Sequence, residues 1–458
     1  MTNPIEKFMI NVWNRIVARP SRSAETSFTL GQIIKDGGLT KNKYAISEVR
    51  RTEHIAVVGK TGSGKSSLLR HMALQDIKAK RGFVFFDHHG EDTGLLLSAI
   101  RSEELRTKED LSQRLILIEP ADNEYSVGLN ILDCGAKENA FLYVAGVTEI
   151  LRRRCEMESF GPRTEELLRN ALFVLAENNF TLLELHLLFT NEEFRTKLLD
   201  KTSNPEVKEY FEQRFAAASD AMRHVMSEPV LNKVSAFTAD PHFRHILGQK
   251  QSSFDLISAI DSGAWIIMNL SKGKLGAHAA TLGALFLAKL KSALFARRSR
   301  KLFTVYGDEF QNLVAANGDI EVVFAELRKF GVGVVAANQY LEQYPPSLKA
   351  AIFALGTHIC FNLSAIDAEK FAHAFDGGKT MASRLKNLPQ RHFIIRSGHQ
   401  PTLEVEVPTV KALKLDATGL RDRSLNRFAK KRIDVEAEIK QRREGYARLP
   451  KEVLDAWD

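Results

Sequence analysis

Apolar runs of strand length recur along the chain, at 54–58, 82–86, 114–120, 265–270, 302–306, 332–337, 358–363 and 392–396. A run such as Phe83-Val84-Phe85-Phe86 has no polar alternation, which predicts a strand buried on both faces, the habit of parallel sheets. Helical patterns separate the runs, around 93–101 and again over 278–297. This alternation predicts an α/β domain with a mainly parallel sheet. From about 137 to 258 the rhythm changes: Leu167, Leu168, Ala171, Leu172 and Leu175 recur at three and four, and no convincing strand pattern appears. Such a stretch is too long for a loop and predicts an all-helical insertion. Short strands are expected at 28–31 and 44–46, ahead of the first buried strand. The expected organisation is therefore an N-terminal helix and short β segment over 1–50, an α/β domain over 51–136 and 259–410, an all-helical insertion domain over 137–258, and a charged helical tail over 411–458.

Composition narrows the class. At 458 residues, with 44% apolar and 26% charged residues, the chain reads as a globular protein of more than one core. Its three cysteines, Cys134, Cys155 and Cys360, are far apart and form no metal or disulfide pattern, which fits a reducing cytoplasm. No uncharged apolar stretch of spanning length is read, so no intrinsic transmembrane segment is expected. The segment around Phe8-Met9-Ile10 and Trp13 reads as an amphipathic helix for core packing or partner docking ahead of membrane contact. A net charge of +8 permits a polyanionic partner without requiring one.

The chemistry concentrates after the first buried strand, in Gly59-Lys60-Thr61-Gly62-Ser63-Gly64-Lys65-Ser66-Ser67. Strand, glycine-rich turn and helix start form the context of a P-loop, whose backbone N–H groups and helix N-terminus cradle phosphates. Lys65 is placed to reach the β and γ phosphates, and Ser66 to offer its hydroxyl to Mg²⁺. ATP and Mg²⁺ are the expected ligands. The strand at 302–306 ends in Gly307-Asp308-Glu309, the form of a Walker B strand. A strand next to the P-loop strand would deliver Asp308 to the Mg²⁺ shell and Glu309 as a general base for the attacking water. The strand at 332–337 ends in Asn338-Gln339, where Gln339 is the better candidate to sense the γ-phosphate; a turn-capping amide is the plain alternative. Arg328, closing a helix expected from about residue 321, reads either as a surface arginine or as a finger for a neighbouring subunit. Asp87 and His89 are open between polar loop packing and the nucleotide or DNA side. Arg152-Arg153-Arg154, Arg163 and Arg169 read as a solvated face ahead of a DNA contact.

Taken in order, GKTGSGKSSLLRHM, DHHGE, GLNIL, YGDEFQNL and ELRKFGVGVVAANQY resemble the HerA/FtsK superfamily of P-loop ATPases. Within it they resemble the TraG/TraD type IV secretion coupling proteins, over about 28–410. The helical segments RTEELLRNALFVLAE and TLLELHLLFTNEEFRTKLL add to the likeness. The resemblance implies a RecA-like core, homo-hexameric rings that hydrolyse ATP at subunit interfaces, and DNA moved through a central channel. It carries the Walker A roles to Lys65 and Ser66, the Walker B pair to Asp308 and Glu309, the sensor to Gln339 and the trans arginine to Arg328. A relaxase, a secretion channel or a nuclease is the implied partner, and the cytoplasm the expected location, with the inner face of the membrane reached only through partners. The chain departs from the family in lacking the N-terminal transmembrane pair of many coupling proteins. It also has little room for the β-barrel of HerA proteins. A DNA translocase is the first reading, a ring that scaffolds a nuclease or antiviral effector the second, and a nucleotide switch that touches no DNA the third.

Overall fold

Residues 28–134, 140–154, 161–276, 278–314, 324, 326–410 and 415–447 are described by the computed structural model of the chain. The helix expected near the N-terminus, the start of the helix expected from about residue 321, and Cys155 lie outside the described residues.

A hairpin of β1 (Phe28–Lys35) and β2 (Gly38–Ile46) leads to β3 (Ile55–Val58), the strand before the P-loop. Then come β4 (Gly82–Asp87), β5 (Leu115–Ile118) and the short β6 (Tyr125–Ser126). After a helical tract the chain returns through β7 (Trp265–Asn269), β8 (Phe303–Gly307), β9 (Val332–Asn338), β10 (Thr357–Cys360), β11 (His392–Ser397) and β12 (Leu403–Glu406). Eleven of these form one sheet in the order β2-β1-β12-β11-β10-β3-β9-β8-β4-β7-β5. The block from β10 to β5 is parallel, and β11, β12, β1 and β2 extend it with antiparallel pairing.

The parallel strands bury both faces. Val84 and Phe86 join the helix-rich core cluster, while Phe83 and Phe85 join the one that contains Leu68, Leu69 and Met72 of the P-loop helix Lys65–Lys78. From Ala140 to Ser262 every described regular element is helical. Its apolar residues, among them Leu167, Leu172 and Phe211, belong to the same cluster as Val84 and Phe86, so the helical layer covers one face of the sheet.

Three expectations need correction. The Walker B strand β8 is not next to the P-loop strand: β9 lies between them. Sequence order does not set strand order here, because the chain leaves β3 for β4, three places across, and later fills the gap. The segment Lys272-Gly273-Lys274, expected as a loop, is a helical turn, Lys272–Leu275. The tail is not purely helical: β13 (Lys430–Lys431) pairs with β6, between the helices Thr418–Phe428 and Arg432–Ala447. Among the described residues one helix, His278–Ala296, is long and apolar enough to cross a membrane, with mean hydropathy 1.4, yet 67% of that window is buried inside the fold. Leu282, Leu285, Phe286 and Leu290 make it a core helix.

A buried polar network holds the sheet to the P-loop helix. Arg51 pairs with Asp76 through two hydrogen bonds of 2.8 and 2.5 Å and donates to Thr304 Oγ1 and Tyr306 OH on β8. Tyr306 in turn donates to Asp76 at 2.6 Å. Removing one partner from such a pair leaves an uncompensated buried charge and costs about 3–5 kcal/mol. The network therefore fixes the P-loop helix against the Walker B strand.

Candidate nucleotide site

All the parallel strands deliver their C-terminal ends to one edge, the place where open α/β sheets bind ligands. At β3 the chain turns through Gly59–Gly64 and enters the helix at Lys65, with Gly64 as its N-cap at φ 121° and Gly62 at φ 74°. Only glycine adopts these angles without strain. A Cβ on Gly59 would lie 2.6 Å from Phe361 Cβ and 2.7 Å from Ser63 Oγ, so that position too is closed to a side chain. The turn is anchored outside itself, Lys60 N donating to Asn362 O at 2.8 Å and Arg391 N to Ser63 O at 2.7 Å.

The loop is built for an anion. Lys65 is buried, burial lowers the pKa of its ammonium, and Nζ donates to Gly59 O at 2.6 Å and Lys60 O at 3.1 Å. Ser63 Oγ is buried without a hydrogen-bond partner, as is Asn338 Oδ1 at the end of β9. An orphaned hydroxyl at a helix N-terminus, beside an orphaned amide oxygen at a strand end, fits a phosphate-bearing ligand. Lys60, Thr61 and Gly62 are exposed, and Ser67 is half-buried one residue past Ser66.

Ser66 Oγ donates to Asp308 Oδ2 at 2.7 Å, so the P-loop hydroxyl and the Walker B carboxylate meet across the intervening strand. Two hard oxygens of this kind suit Mg²⁺. Glu309 sits at φ 50°, a left-handed conformation that costs a non-glycine residue about 1–3 kcal/mol and is retained mainly at functional sites. Its carboxylate is held on both sides: Gln339 Nε2 donates to Oε1 at 2.7 Å, and Gln311 Nε2 to Oε2. The structure thus brings together Lys65, Ser66, Asp308, Glu309 and Gln339. A cradle for phosphates, a pair of cation ligands and a positioned carboxylate can together support attack of water on a phosphoryl group.

Arg328 is not among them. It precedes β9, at the opposite edge of the sheet from Gln339, which follows it. Seven residues of strand put the two ends about 20 Å apart. Its side chain is 56% exposed. Asp87 takes the packing role: its carboxylate accepts from Gly90 N, Asp92 N, Thr93 N and Thr93 Oγ1, and His89 is exposed. Arg152 and Arg153 pair with Glu149 on their own helix, as a solvated face does. Sequence reasoning missed Gln311 and Asn312. Gln311 bonds Glu309, and Asn312 joins the Walker B turn to His88 at 3.2 Å. Their position just after Asp308-Glu309 was the one available signal.

The sheet and this edge define a P-loop NTPase fold with a RecA-like core. The model of the HerA helicase central domain matches residues 49–288, more than half of the chain, and the chain belongs to that family. Among curated proteins it is 23% identical over 347 residues to the DNA double-strand break repair helicase HerA of Sulfurisphaera tokodaii. That alignment covers 71% of this chain, which spans 59% of the relative's length. Among solved structures it is similar to the bacterial conjugative coupling protein TrwBdeltaN70 in complex with sulphate, with TM-score 0.59 and 17% identity, covering 84% of this chain and 96% of that one. TrwB in complex with ADP and Mg²⁺ gives TM-score 0.56 at 17% identity over the same shares. VirB4 of Thermoanaerobacter pseudethanolicus gives TM-score 0.57 at 14% identity, covering 84% and 97%. At these identities the solved structures establish the likeness of fold.

Proposed function

We propose that this protein is a ring-forming, ATP-driven DNA translocase. The reading rests above all on the placement of Arg328 and Gln339 at opposite ends of β9. A group about 20 Å from its own phosphate loop serves a second copy arranged head to tail, and a repeated heterologous contact closes into a ring. DNA as the track is supported by the family and by the name of the curated HerA relative. Work in the cytoplasm, against the membrane only through partners, goes with this reading. In it, 51–136 and 259–410 form the motor, 137–258 the helical domain, and 411–458 a tail. A second reading, a ring that scaffolds and activates a partner nuclease or antiviral effector, rests on the sequence resemblance alone. Conjugative transfer, with a relaxase or secretion channel as partner, is carried by likeness of fold alone.

When bound by Ser66 and Asp308, Mg²⁺ supplies positive charge that stabilises the transferring phosphoryl oxygens. Lys65 neutralises the same charge from the loop side. Glu309 accepts the proton of the attacking water. Gln339 holds Glu309 while no γ-phosphate competes for its amide, and releases it when one does, which ties base activation to the bound nucleotide. Glu309→Gln keeps the shape but removes the base, and is expected to bind ATP while turnover falls about a hundredfold or more. Equilibrium binding beside single-turnover hydrolysis checks this; failure to bind nucleotide would give Glu309 another job.

A motor on arbitrary sequence grips phosphates, not base edges. The exposed turn Lys272-Gly273-Lys274, on the nucleotide edge after β7, is the proposed grip. With 6–10 phosphate contacts, affinity is expected to fall about 10³–10⁵-fold between 50 and 200 mM salt. Fluorescence anisotropy on DNA of several sequences measures it, together with DNA-stimulated ATP turnover. An affinity flat with salt, or turnover indifferent to DNA, would remove the translocase and favour the nucleotide switch.

A further inference from the structure

Arg328 is exposed but not unsupported. Its Nη2 forms an ion pair with Glu53 Oε1 at 3.0 Å, and the other oxygen of Glu53 accepts a hydrogen bond from Arg50 Nη1 at 2.5 Å. Each arginine therefore has its own carboxylate oxygen. Glu53 itself cannot drift: its N–H donates to Arg50 O, its carbonyl accepts from Gly356 N at 2.8 Å, and only 15% of its side chain is exposed. A Cβ on Gly356 would lie 2.5 Å from Glu53 Cβ, so glycine there is what lets the side chain pass. The next residue, His54, stands at φ 65°. Burial brings its pKa down to about 4, so the ring is neutral at pH 7. Its Nδ1 accepts from Val334 N at 3.1 Å and its Nε2 donates to Phe324 O at 2.6 Å. Glu53 and His54 thus clamp the start of the P-loop strand to the segment that carries Arg328. A cavity of about 600 Å³ opens beside the pair, lined also by Ala350, Ala354 and Leu355, and among the described lining residues Glu53 is the one acid.

We propose that Glu53 is the positioning residue of Arg328: it holds the guanidinium at the outer edge of β9, ready for the nucleotide of the neighbouring copy. The proposal rests on the reading of Arg328 as a group acting in trans. An exposed ion pair adds little stability, so the worth of this one lies in orientation. A long side chain released from its carboxylate samples many rotamers, and a misplacement of about 1 Å in a reacting group can cost about 10²-fold in rate. Because Glu53 stands two residues before the strand that leads into the P-loop, the same contact links a subunit's own phosphate loop to the arginine it lends.

The test is steady-state ATP hydrolysis by the full chain carrying Glu53→Gln, Glu53→Asp, Arg328→Ala, or Glu53→Gln with Arg328→Ala. Glu53→Gln is expected to lower kcat about tenfold with KM for ATP within about twofold of wild type. Glu53→Asp, whose shorter carboxylate weakens the contact, is expected to lose less, and carries the test if Glu53→Gln does not fold. In the double variant the loss should not exceed that of Arg328→Ala alone. Unchanged or faster turnover in Glu53→Gln would overturn the proposal, the second because the carboxylate would be restraining the arginine. A further tenfold loss on top of Arg328→Ala would also overturn it, placing Glu53's effect elsewhere. Wild-type turnover in Arg328→Ala would instead bring down the trans reading itself, a separate result.

Discussion

Lys65→Ala is expected to fold as the wild type does and to hydrolyse ATP at no measurable rate. The side chain contacts loop carbonyls, Gly59 O and Lys60 O, and burial disfavours its charge, so the native state gains little from it. Its proposed function is to meet phosphate. Losing a charge-assisted contact to the ligand costs about 1.5–3 kcal/mol of binding. Losing a charge aimed at the developing phosphoryl oxygens costs about a further 10²–10³-fold in the chemical step. Together kcat/KM should fall about 10³–10⁵-fold. Thermal melting separates this from misfolding. Without ligand the two proteins should melt together, while saturating ATP–Mg²⁺ should raise the wild-type melting temperature and leave Lys65→Ala nearly unmoved, since ligand at 100 times its Kd adds about 2.7 kcal/mol. A normal ligand-induced shift with normal turnover would remove Gly59–Lys65 from nucleotide binding.

What the sequence made legible follows range of interaction. The P-loop could be read because its parts are contiguous: an apolar strand, glycines at forced positive φ and a helix start all lie between Ile55 and Lys78. The ends of β8 and β9 were legible for the same reason, as apolar runs closing on Asp308-Glu309 and Asn338-Gln339. Their spatial order was not. Whether β9 lies beside or beyond β8 depends on packing across about 280 residues of chain, and each strand is equally apolar on both faces. The antiparallel extension through β12 escaped notice because Leu403–Glu406 is only four residues long and alternates Leu, Glu, Val and Glu, with Val405 alone fully buried. Polar networks were the least visible part. Arg51 and Asp76 look like surface residues in sequence, and only the fold makes them a buried pair. Glu53 beside Arg328 is of the same kind: 275 positions apart, they meet because a turn before β3 packs against the turn before β9.

Arg328→Ala should bind ATP with near wild-type affinity and hydrolyse it about 10³–10⁵-fold more slowly, the range spanned by arginine fingers. The binding half follows from geometry: the cradle, the cation ligands and Glu309 lie at the C-terminal edge of the sheet, and Arg328 at the other, so its own pocket is complete without it. The rate half follows from charge, because a guanidinium delivered from outside stabilises oxygens whose negative charge grows only in the transition state. Mixing two inactive proteins makes the test specific. Arg328→Ala subunits keep an intact pocket and Lys65→Ala subunits keep an intact arginine, so a mixed ring contains interfaces that pair the two. Partial turnover is expected at those interfaces, rising and then falling with the mixing ratio. A protein kept monomeric by dilution, checked by light scattering, should be slow whichever residue stands at 328. Wild-type turnover in unmixed Arg328→Ala would take the residue out of catalysis. Arginine-dependent hydrolysis by the monomer would place it in cis, which would require the segment before β9 to travel the length of the strand.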